Sequence, residues 1–367
     1  MAVFVVKIGT STLVDAAGRF RDDVLDARVR DLVRIQRQGH QPVLVTSAAI
    51  ACGLATLGIS ERPTALPDLQ AASAVGQGVL FERYLLAFRT HEVVPAQVLL
   101  TSRDLERRSS YVNARNTLLR LIELGTIPVI NENDTTTTDD ITFGDNDVLA
   151  AQVAILLRAR WLVLLTDRDG LYAPGADGPV LIGDVPAETA PDEVELAPLV
   201  GSGHGRGGIS SKIASASMAT AAGITCVIAN GAEDGVLTQV AHGGHVGTRF
   251  PPALRPRSAF KLWLRYAKPT MGQIDVDAGA ARAIESRGTS LLAVGVTGSR
   301  GVFAAGDAVE VADPAGRVIG KGISGLSAQE VRQVAGLSTV DMRSRLPGAP
   351  GEVIHRDQLV LVGADVV

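Results

Sequence analysis

Six short apolar runs constrain the fold of this 367-residue chain more than any other feature. They span residues 3–8, 42–45, 95–100, 127–130, 161–165 and 225–229. Because the runs are almost continuously apolar rather than alternating, they are typical of strands that are covered on both faces in a parallel sheet. The sequence therefore predicts an α/β fold with an open, mostly parallel sheet sandwiched by helices. Its chemistry should gather at the carboxyl ends of the strands.

Four segments between these runs carry apolar residues at helical spacing, and they span residues 22–38, 79–90, 113–124 and 147–159. Gly39, Gly125 and Gly223 stand where helix ends favour glycine. The helices alternate with the runs, so each crossover between parallel strands has a helix available to it.

A change of composition marks a domain boundary. Prolines bracket a basic and aromatic stretch in residues 251–270, so we expect residues 1–250 to form the sheet domain. The stretch should pack as a connector, because four of its side chains favour burial: Phe260, Leu262, Trp263 and Leu264. Residues 271–367 combine a helix at 278–287 with short runs broken by turn signals, which predicts a small β-rich domain, a barrel or a sandwich.

Charge and composition exclude several classes of protein. Lysine and arginine total 35 against 39 acidic residues, a net charge of -4, so no overall basic field exists to hold nucleic acid or anionic lipid. The most apolar stretch, residues 149–157, is far shorter than the roughly 20 residues of a membrane span. Cys52 and Cys226 lie in apolar stretches and predict buried, inert thiols. With no leader-like N-terminal segment, we expect a cytoplasmic protein.

The first candidate for chemistry is the segment VVKIGTST, in which Lys7 interrupts an apolar strand. Burying a lysine is costly unless its ammonium meets an anion, so Lys7 is predicted to reach a ligand at the strand end. Gly9 would let the backbone approach that ligand closely. The alternative is a lysine that extends to solvent at an exposed end of the sheet.

Thr46 and Ser47 follow the second run and precede a helical segment of small residues. Hydroxyl side chains in this position are first of all N-cap residues. They could also hydrogen-bond an acceptor substrate, since the same turn exposes backbone N–H groups to an anion.

The densest polar stretch lies between residues 130 and 157. Residues 131–134 follow a buried strand, and residues 145–147 open an apolar helix. Asp147 alone could be a helix cap, but two polar clusters that converge could bind a zwitterion, with carboxylates on its ammonium group. The residues between the clusters, 135–144, are predicted to form a projecting hairpin or lid, or simply a solvated loop.

A third group of candidates comprises Thr166 and Asp167, after the fifth run, and a glycine-rich segment ending at Lys212. The glycines and a helix beginning near Ile209 would present N–H groups to phosphate. A dinucleotide fingerprint fits poorly, because no strand precedes the glycines and no acid follows at the right distance. The Walker A pattern is absent from the sequence.

Taken together, these motifs resemble the amino acid kinase family. The likeness is carried by VVKIGTS, VTSAAI, AVGQ, NARNTL, PVINEND, FGDND, LLTDRDGLY and GGISSK, and by a tail similar to a PUA domain. It is greatest to the members that use ATP to phosphorylate the side-chain carboxylate of L-glutamate, the first step of proline biosynthesis. The resemblance implies ATP and Mg²⁺ as co-substrate and metal. A carboxylate acceptor needs no general base, since it is already a nucleophile.

Motif matching implies a role for each site residue. Three residues would hold glutamate: Ser47, Asp134 and Asn146. A larger set would hold ATP: Lys7, Thr166, Asp167, Arg206, Gly207, Gly208, Ile209, Ser210, Ser211 and Lys212. Lys7 and Lys212 would flank the transferred phosphoryl group, while Asp145 and Asp147 would organise the two lysines and the glutamate site.

The resemblance also implies feedback inhibition by proline, with the loop at 134–143 as its point of control, a homo-oligomer, and contact with glutamyl phosphate reductase. Two departures from the family pattern stand out. The family has glycine where this chain has Ala48, which bears on close backbone approach to the acceptor. It has Thr-Gly-Gly-Met where this chain has residues 206–209, which bears on the grip on the nucleotide.

Two alternatives compete with this interpretation. RNA binding is the first, since PUA domains elsewhere bind RNA, but residues 271–367 hold nine basic and eleven acidic residues and so lack a phosphate-tracking face. Another kinase of the same family, acting on N-acetylglutamate or uridylate, is the second. The tail and the paired PVINEND and GDND motifs disfavour it.

Overall fold

Two sheets organise the chain in the computed structural model, one in each of two units that comprise residues 1–256 and 257–367. The structure describes residues 2–15, 17–101, 104–105, 108–136, 145–187, 189, 194, 196–197, 205–254, 256, 261, 264–265 and 270–361. Residues 137–144, most of the segment 135–144 that was predicted to be a hairpin, a lid or a solvated loop, lie outside these ranges. So do three of the connector's apolar residues, Phe260, Leu262 and Trp263.

Within its described residues, the first unit contains a seven-stranded sheet and a small two-stranded one. The strands are β1 (Val3–Ile8), β2 (Gln41–Val45), β3 (Pro95–Leu100), β4 (Ile127–Glu132), β5 (Trp161–Thr166), β6 (Tyr172–Ala173), β7 (Val180–Leu181), β8 (Thr225–Asn230) and β9 (Thr248–Phe250). The large sheet has the order β3-β4-β2-β1-β5-β8-β9, and all its neighbours are parallel except β8 and β9. The predicted mostly parallel sheet is confirmed.

The helices of this unit are α1 (Thr10–Leu13), α2 (Asp22–Arg37), α3 (Ala49–Leu57), α4 (Leu66–Arg89), α5 (Arg108–Glu123), α6 (Asp145–Leu157), α7 (Gly205–Ala221) and α8 (Val236–Ala241). The predicted glycines at helix ends, Gly39, Gly125 and Gly223, all have positive φ angles. The prediction of a helix at 79–90 was too short, because the first half of α4 is rich in small and polar residues and carries no apolar stripe. No helix in the described ranges is long and apolar enough to cross a membrane.

Strand β1 shows how the sheet directs Lys7 inward. Side chains alternate between the faces of a strand, and Phe4, Val6 and Ile8 lie in the core with residues of α2, α4 and α8. Lys7 therefore points to the opposite face, where it meets α6 and α7. Its exposed fraction is only 5%, so the alternative of a solvent-facing lysine is wrong.

Helices α3 and α4 cross with their backbones nearly in contact. A Cβ atom added at Gly76 would lie 1.9 Å from the carbonyl oxygen of Ala49, and one added at Gly53 would lie 1.7 Å from that of Ala72. Only hydrogen fits at either position, so the pair of glycines fixes the register of α4 against α3. This register decides which face of α4 meets the ends of the strands.

The second unit is built on one sheet of five strands within the described residues, in the order β11-β10-β12-β13-β14. Its elements are β10 (Thr270–Val276), α9 (Ala278–Arg287), β11 (Val296–Gly301), β12 (Ala308–Ala312), β13 (Val318–Ile323), α10 (Ala328–Val334), α11 (Thr339–Arg345) and β14 (Leu359–Leu361). The predicted helix at 278–287 and the β-rich character are confirmed, but the strands do not form the two sheets of a sandwich. Leu264, in the stretch predicted to be a packed connector, is fully buried.

The crossing of α3 and α4 leads to a stability prediction. Gly76→Ala should lower the free energy of unfolding by about 1–3 kcal/mol, because the added methyl forces two backbones apart. The matched control is Gly78→Ala on the same helix, where an added Cβ meets nothing within 4 Å. Gly78→Ala should raise the free energy of unfolding by about 1 kcal/mol, because alanine has a higher helix propensity than glycine. Urea unfolding of both variants measures the difference, and equal stability of the two would refute the close crossing.

Candidate active site

One buried carboxylate joins two lysines from distant parts of the chain. Asp147, near the start of α6, accepts the ammonium of Lys7 at 2.6 Å on Oδ1 and that of Lys212 at 3.0 Å on Oδ2. Lys7 comes from the carboxyl end of β1 and Lys212 from the first half of α7. The two lysines that the sequence singled out therefore meet at a single point.

The charge balance at this point is positive. Burial would raise the pKa of Asp147, but the two ammonium groups more than offset it, and the pKa lies below its ordinary value. Burial lowers the pKa of Lys7, Asp147 raises it, and the neighbouring Lys212 lowers it further. Two ammonium groups thus share a single carboxylate. The excess positive charge is suited to an anion such as a phosphoryl group.

Gly9 lies beside the Lys7 ammonium rather than in a strained turn. Its φ angle is -77°, which any residue adopts. A Cβ atom added at Gly9 would lie 3.5 Å from Lys7 Nζ, at ordinary contact distance. A side chain at this position would stand in contact with the ammonium, so the glycine keeps the place beside Lys7 Nζ free of side-chain atoms.

A second cluster consists of amide and hydroxyl side chains and is centred on Asn146, the residue before Asp147. Asn146 donates from Nδ2 to Ser47 Oγ at 3.1 Å and to Asn131 Oδ1 at 3.2 Å, and Asn131 donates to Gln77 Oε1 at 2.7 Å. The carbonyl oxygen of Asn146, Oδ1, is buried and has no hydrogen-bond partner among the described residues. A buried acceptor without a partner is suited to accept a hydrogen bond from a bound ligand.

Helix α4 supplies further polar groups along the same face. Ser73 donates to Asp134 Oδ2 at 2.5 Å, and Tyr84 shares a 2.8 Å hydrogen bond with Thr46. Ser73, Gln77 and Tyr84 are spaced by four and seven residues, so they share one side of the helix. They meet residues at or just beyond the carboxyl ends of β2 and β4, which are neighbours in the sheet.

The prediction that Thr46 and Ser47 cap a helix is wrong. Helix α3 begins after Ala48, and no side chain caps it. The hydroxyls instead bond to Tyr84 and Asn146, because the turn reverses direction through Ala48, whose φ of 83° lies in the left-handed region. A glycine adopts this conformation without strain, which accounts physically for the glycine of the family pattern at this position.

The third group of predicted site residues lies at the end of β5, next to the end of β8, and on α7. Thr166 donates to Asp167 at 3.1 Å, and the backbone N–H of Gly231 bonds to the carbonyl of Thr166 at 2.7 Å. Helix α7 begins at Gly205, four residues before the expected start near Ile209, so the last three glycines of the segment lie within the helix, and residues 201–204 lie outside the described ranges. At Gly208 an added Cβ would meet nothing within 4 Å, so that surface is open.

Several predicted site residues are placed only in part. Ile209, Ser210 and Ser211 lie in α7 on the turn before Lys212. Asp145, Arg206 and Gly207 belong to their helices, but their side chains lie outside the described residues. Sequence reasoning missed Ser73, Gln77 and Tyr84 as members of the polar cluster, and the one available signal was the motif AVGQ, which includes Gln77.

This arrangement resembles what phosphoryl transfer to a preformed anion requires. No nucleophilic side chain paired with a base is needed; both described cysteines are buried, and burial raises the pKa of each thiol. What the site offers is a pair of ammonium groups beside a cluster of amides and hydroxyls, to which Ser73 adds the carboxylate of Asp134. The described residues contain no group of three or more potential metal ligands from His, Cys, Asp and Glu.

Comparison with known proteins agrees with this assignment of class. The model of the amino acid kinase family matches residues 2–230, and that of the PUA domain matches residues 272–346. The chain is therefore a kinase of the amino acid kinase family with a PUA domain after it.

Relatives define its place within the family. Glutamate 5-kinase of Synechococcus sp. (strain JA-2-3B'a(2-13)) is 42% identical over 363 residues, which cover 98% of both chains. Glutamate 5-kinase of Myxococcus xanthus is 43% identical over 362 residues, 98% of this chain and 96% of its own. Within the family, the chain belongs to the glutamate 5-kinases. The solved structure of UMP kinase from Bacillus anthracis is a distant match, with a TM-score of 0.46 and 11% identity over 68% of this chain and 96% of its own, and adds nothing to the assignment.

The left-handed turn at Ala48 leads to a second stability prediction. Ala48→Gly should leave the free energy of unfolding unchanged or raise it by about 1 kcal/mol, because relief of the Cβ clash outweighs the greater freedom of the unfolded chain. The matched control is Ala55→Gly, at an exposed position of α3. This change should lower the free energy of unfolding by about 1 kcal/mol, because glycine is a poor helix former. Equal losses in the two variants, measured by urea unfolding, would contradict the strained turn.

Proposed function

We propose that this kinase transfers the γ-phosphoryl group of ATP to the side-chain carboxylate of L-glutamate, giving L-glutamyl 5-phosphate for proline biosynthesis. One observation carries the proposal: Asn146 and Asp147 are adjacent, yet the first joins a neutral amide cluster and the second joins two lysines. An amino acid and a phosphoryl donor can therefore bind side by side. The relatives' shared name supplies the acceptor.

In this mechanism, Lys7 and Lys212 carry the electrostatic part of catalysis. The acceptor carboxylate attacks phosphorus in line with the departing oxygen of ADP, and negative charge is spread over the phosphoryl oxygens. The two ammonium groups lie ready to neutralise that charge, held in place by Asp147. Because they are held before reaction begins, little reorganisation is required at the transition state.

The acceptor is held on the amide side. Ser47, Asp134 and Asn146 bind glutamate in this proposal, with the free carbonyl oxygen of Asn146 accepting from the ammonium group. On the nucleotide side, Thr166, Asp167 and residues 206–212 bind ATP, where the open surface at Gly208 allows close approach. Asp145 contributes to the organisation of the glutamate site.

Magnesium fits this site as an ion carried by ATP. The carboxylate nearest the phosphoryl position, Asp147, is engaged by two ammonium groups and is not a free ligand. Magnesium commonly keeps several waters and binds through substrate phosphates with one or two carboxylates. When bound, it would neutralise phosphate charge, and Asp167 is the carboxylate on the nucleotide side that could reach it.

Finer features of the proposal come from the resemblance. They are inhibition by proline, with control at the loop 134–143, a cytoplasmic location, assembly into a homo-oligomer, and contact with glutamyl phosphate reductase. Exposed apolar side chains on α4, β3 and α5 support an oligomer: Val75, Leu86, Leu99 and Val112. Sedimentation of the full chain would measure its oligomeric state.

An acceptor assay tests the function. ATP consumption coupled to ADP detection should be much faster with L-glutamate than with N-acetylglutamate or UMP, because only the free amino acid supplies an ammonium group to Asn146. Hydroxylamine trapping should detect the acyl phosphate, and added proline should lower the rate. Turnover with UMP or N-acetylglutamate but not with L-glutamate would overturn the proposal.

Variants of the two lysines test the mechanism. Lys7→Ala and Lys212→Ala should each lower kcat by about 10²–10³-fold, the usual effect of removing one preorganised donor. Each variant should fold, since Asp147 keeps the other lysine as partner. The control is Lys321→Ala, on β13 of the PUA domain, which should retain full turnover. Near-normal kcat in either active-site variant would remove that lysine from the mechanism.

A further inference from the structure

A chain of three side-chain amides leads from helix α4 to the start of α6. Gln77 Oε1 accepts from Asn131 Nδ2 at 2.7 Å, and Asn131 Oδ1 accepts from Asn146 Nδ2 at 3.2 Å. Asn131 is only 2% exposed, whereas Gln77 is half-buried. The chain therefore connects a helix outside the reaction centre with a residue that is proposed to hold the acceptor.

A backbone group fixes the orientation of the whole chain. The N–H of Glu132 donates to Asn131 Oδ1 at 3.0 Å, and an N–H can only donate. The oxygen of Asn131 must therefore lie on that side, which turns its amino group toward Gln77. Gln77 is thus required to present an oxygen, not an amino group.

The same logic fixes the other end of the chain. Asn146 must direct its amino group to Asn131 Oδ1, and it also uses that group to reach Ser47 Oγ at 3.1 Å. Its carbonyl oxygen is left buried without a partner among the described residues. If the Asn146 amide were rotated by 180°, its oxygen would face the oxygen of Asn131, and the two would repel each other. Its amino group would then take the place of the buried oxygen, where an ammonium group needs an acceptor.

We propose that Gln77 is a positioning residue for the acceptor. By accepting from Asn131 Nδ2, it works together with the N–H of Glu132, which donates to Asn131 Oδ1, to hold the Asn131 amide in place. Asn131 in turn orients Asn146 so that the Asn146 carbonyl oxygen is available to the ammonium group of an amino acid. The inference rests on the proposed function, because it requires an amino-acid acceptor at Asn146. Gln77 acts on binding of the acceptor and not on the lysines, so its loss changes KM for glutamate rather than KM for ATP.

Two substitutions separate the oxygen of Gln77 from its bulk. Gln77→Met keeps the length of the side chain but removes the acceptor, and it should raise KM for L-glutamate about tenfold, with KM for ATP unchanged. Gln77→Glu keeps an oxygen for Asn131 Nδ2 and should stay within about threefold of the original chain. Glu82→Ala, an exposed change on the same helix, is the control and should have no effect. Gln77→Ala replaces Gln77→Met if thermal unfolding shows that the methionine variant does not fold.

A double-variant cycle shows whether Gln77 acts through Asn146. Asn146→Ala should raise KM for glutamate by itself, and adding Gln77→Met should raise it by no more than about twofold further. If the two effects multiply, or if Gln77→Glu is as impaired as Gln77→Met, the positioning role is overturned. Unchanged KM in Gln77→Met, with normal use of glutamate by the original chain, refutes this inference alone. Failure of the original chain to use glutamate refutes the proposed function and this inference with it.

Discussion

The shared carboxylate of Asp147 is the constraint on which the site depends. A buried lysine is tolerated only when an anion offsets the loss of hydration, and Asp147 does this for Lys7 and Lys212 together. The parallel sheet makes the arrangement possible, because it brings the end of β1 under the starts of α6 and α7. One carboxylate holds two ammonium groups in place, and this excess of basic over acidic groups is the basis of the proposed phosphoryl site.

The acceptor side is organised by different means. Its groups are amides and hydroxyls, and their orientation is set by backbone donors and by the register of α4, which Gly53 and Gly76 fix against α3. A stability feature far from the reaction, two glycines at a helix crossing, thus determines where Gln77 and Ser73 lie. Electrostatic attraction holds the lysines around Asp147, whereas the cluster around Asn146 is held by hydrogen bonds whose donors and acceptors are fixed in direction.

Much of the fold and part of the site could be predicted from the sequence. Continuous apolar runs predicted the parallel strands. The cost of a buried lysine indicated an anion near Lys7, which was predicted to be a ligand, and the structure has the side chain of Asp147 there. The first half of α4 escaped prediction because its small residues serve a close backbone contact, which leaves no periodic apolar stripe. Thr46 and Ser47 were assigned to capping because local rules cannot foresee partners such as Tyr84 and Asn146, which lie 38 and 99 residues away in sequence.

The adjacency of Asn146 and Asp147 explains why one helix start can serve both halves of a transfer reaction. Successive side chains of a helix point about 100° apart, so two adjacent residues contact different neighbours although their backbones are close together. Here Asn146 contacts the hydroxyl of Ser47 and the amide of Asn131, and Asp147 contacts the lysines of β1 and α7. In the proposed mechanism, an acceptor bound at Asn146 would therefore lie next to a phosphoryl group bound at the two lysines. Shortening or rotating the start of α6 would disturb both sides at once, which couples the position of the acceptor to the position of the charge.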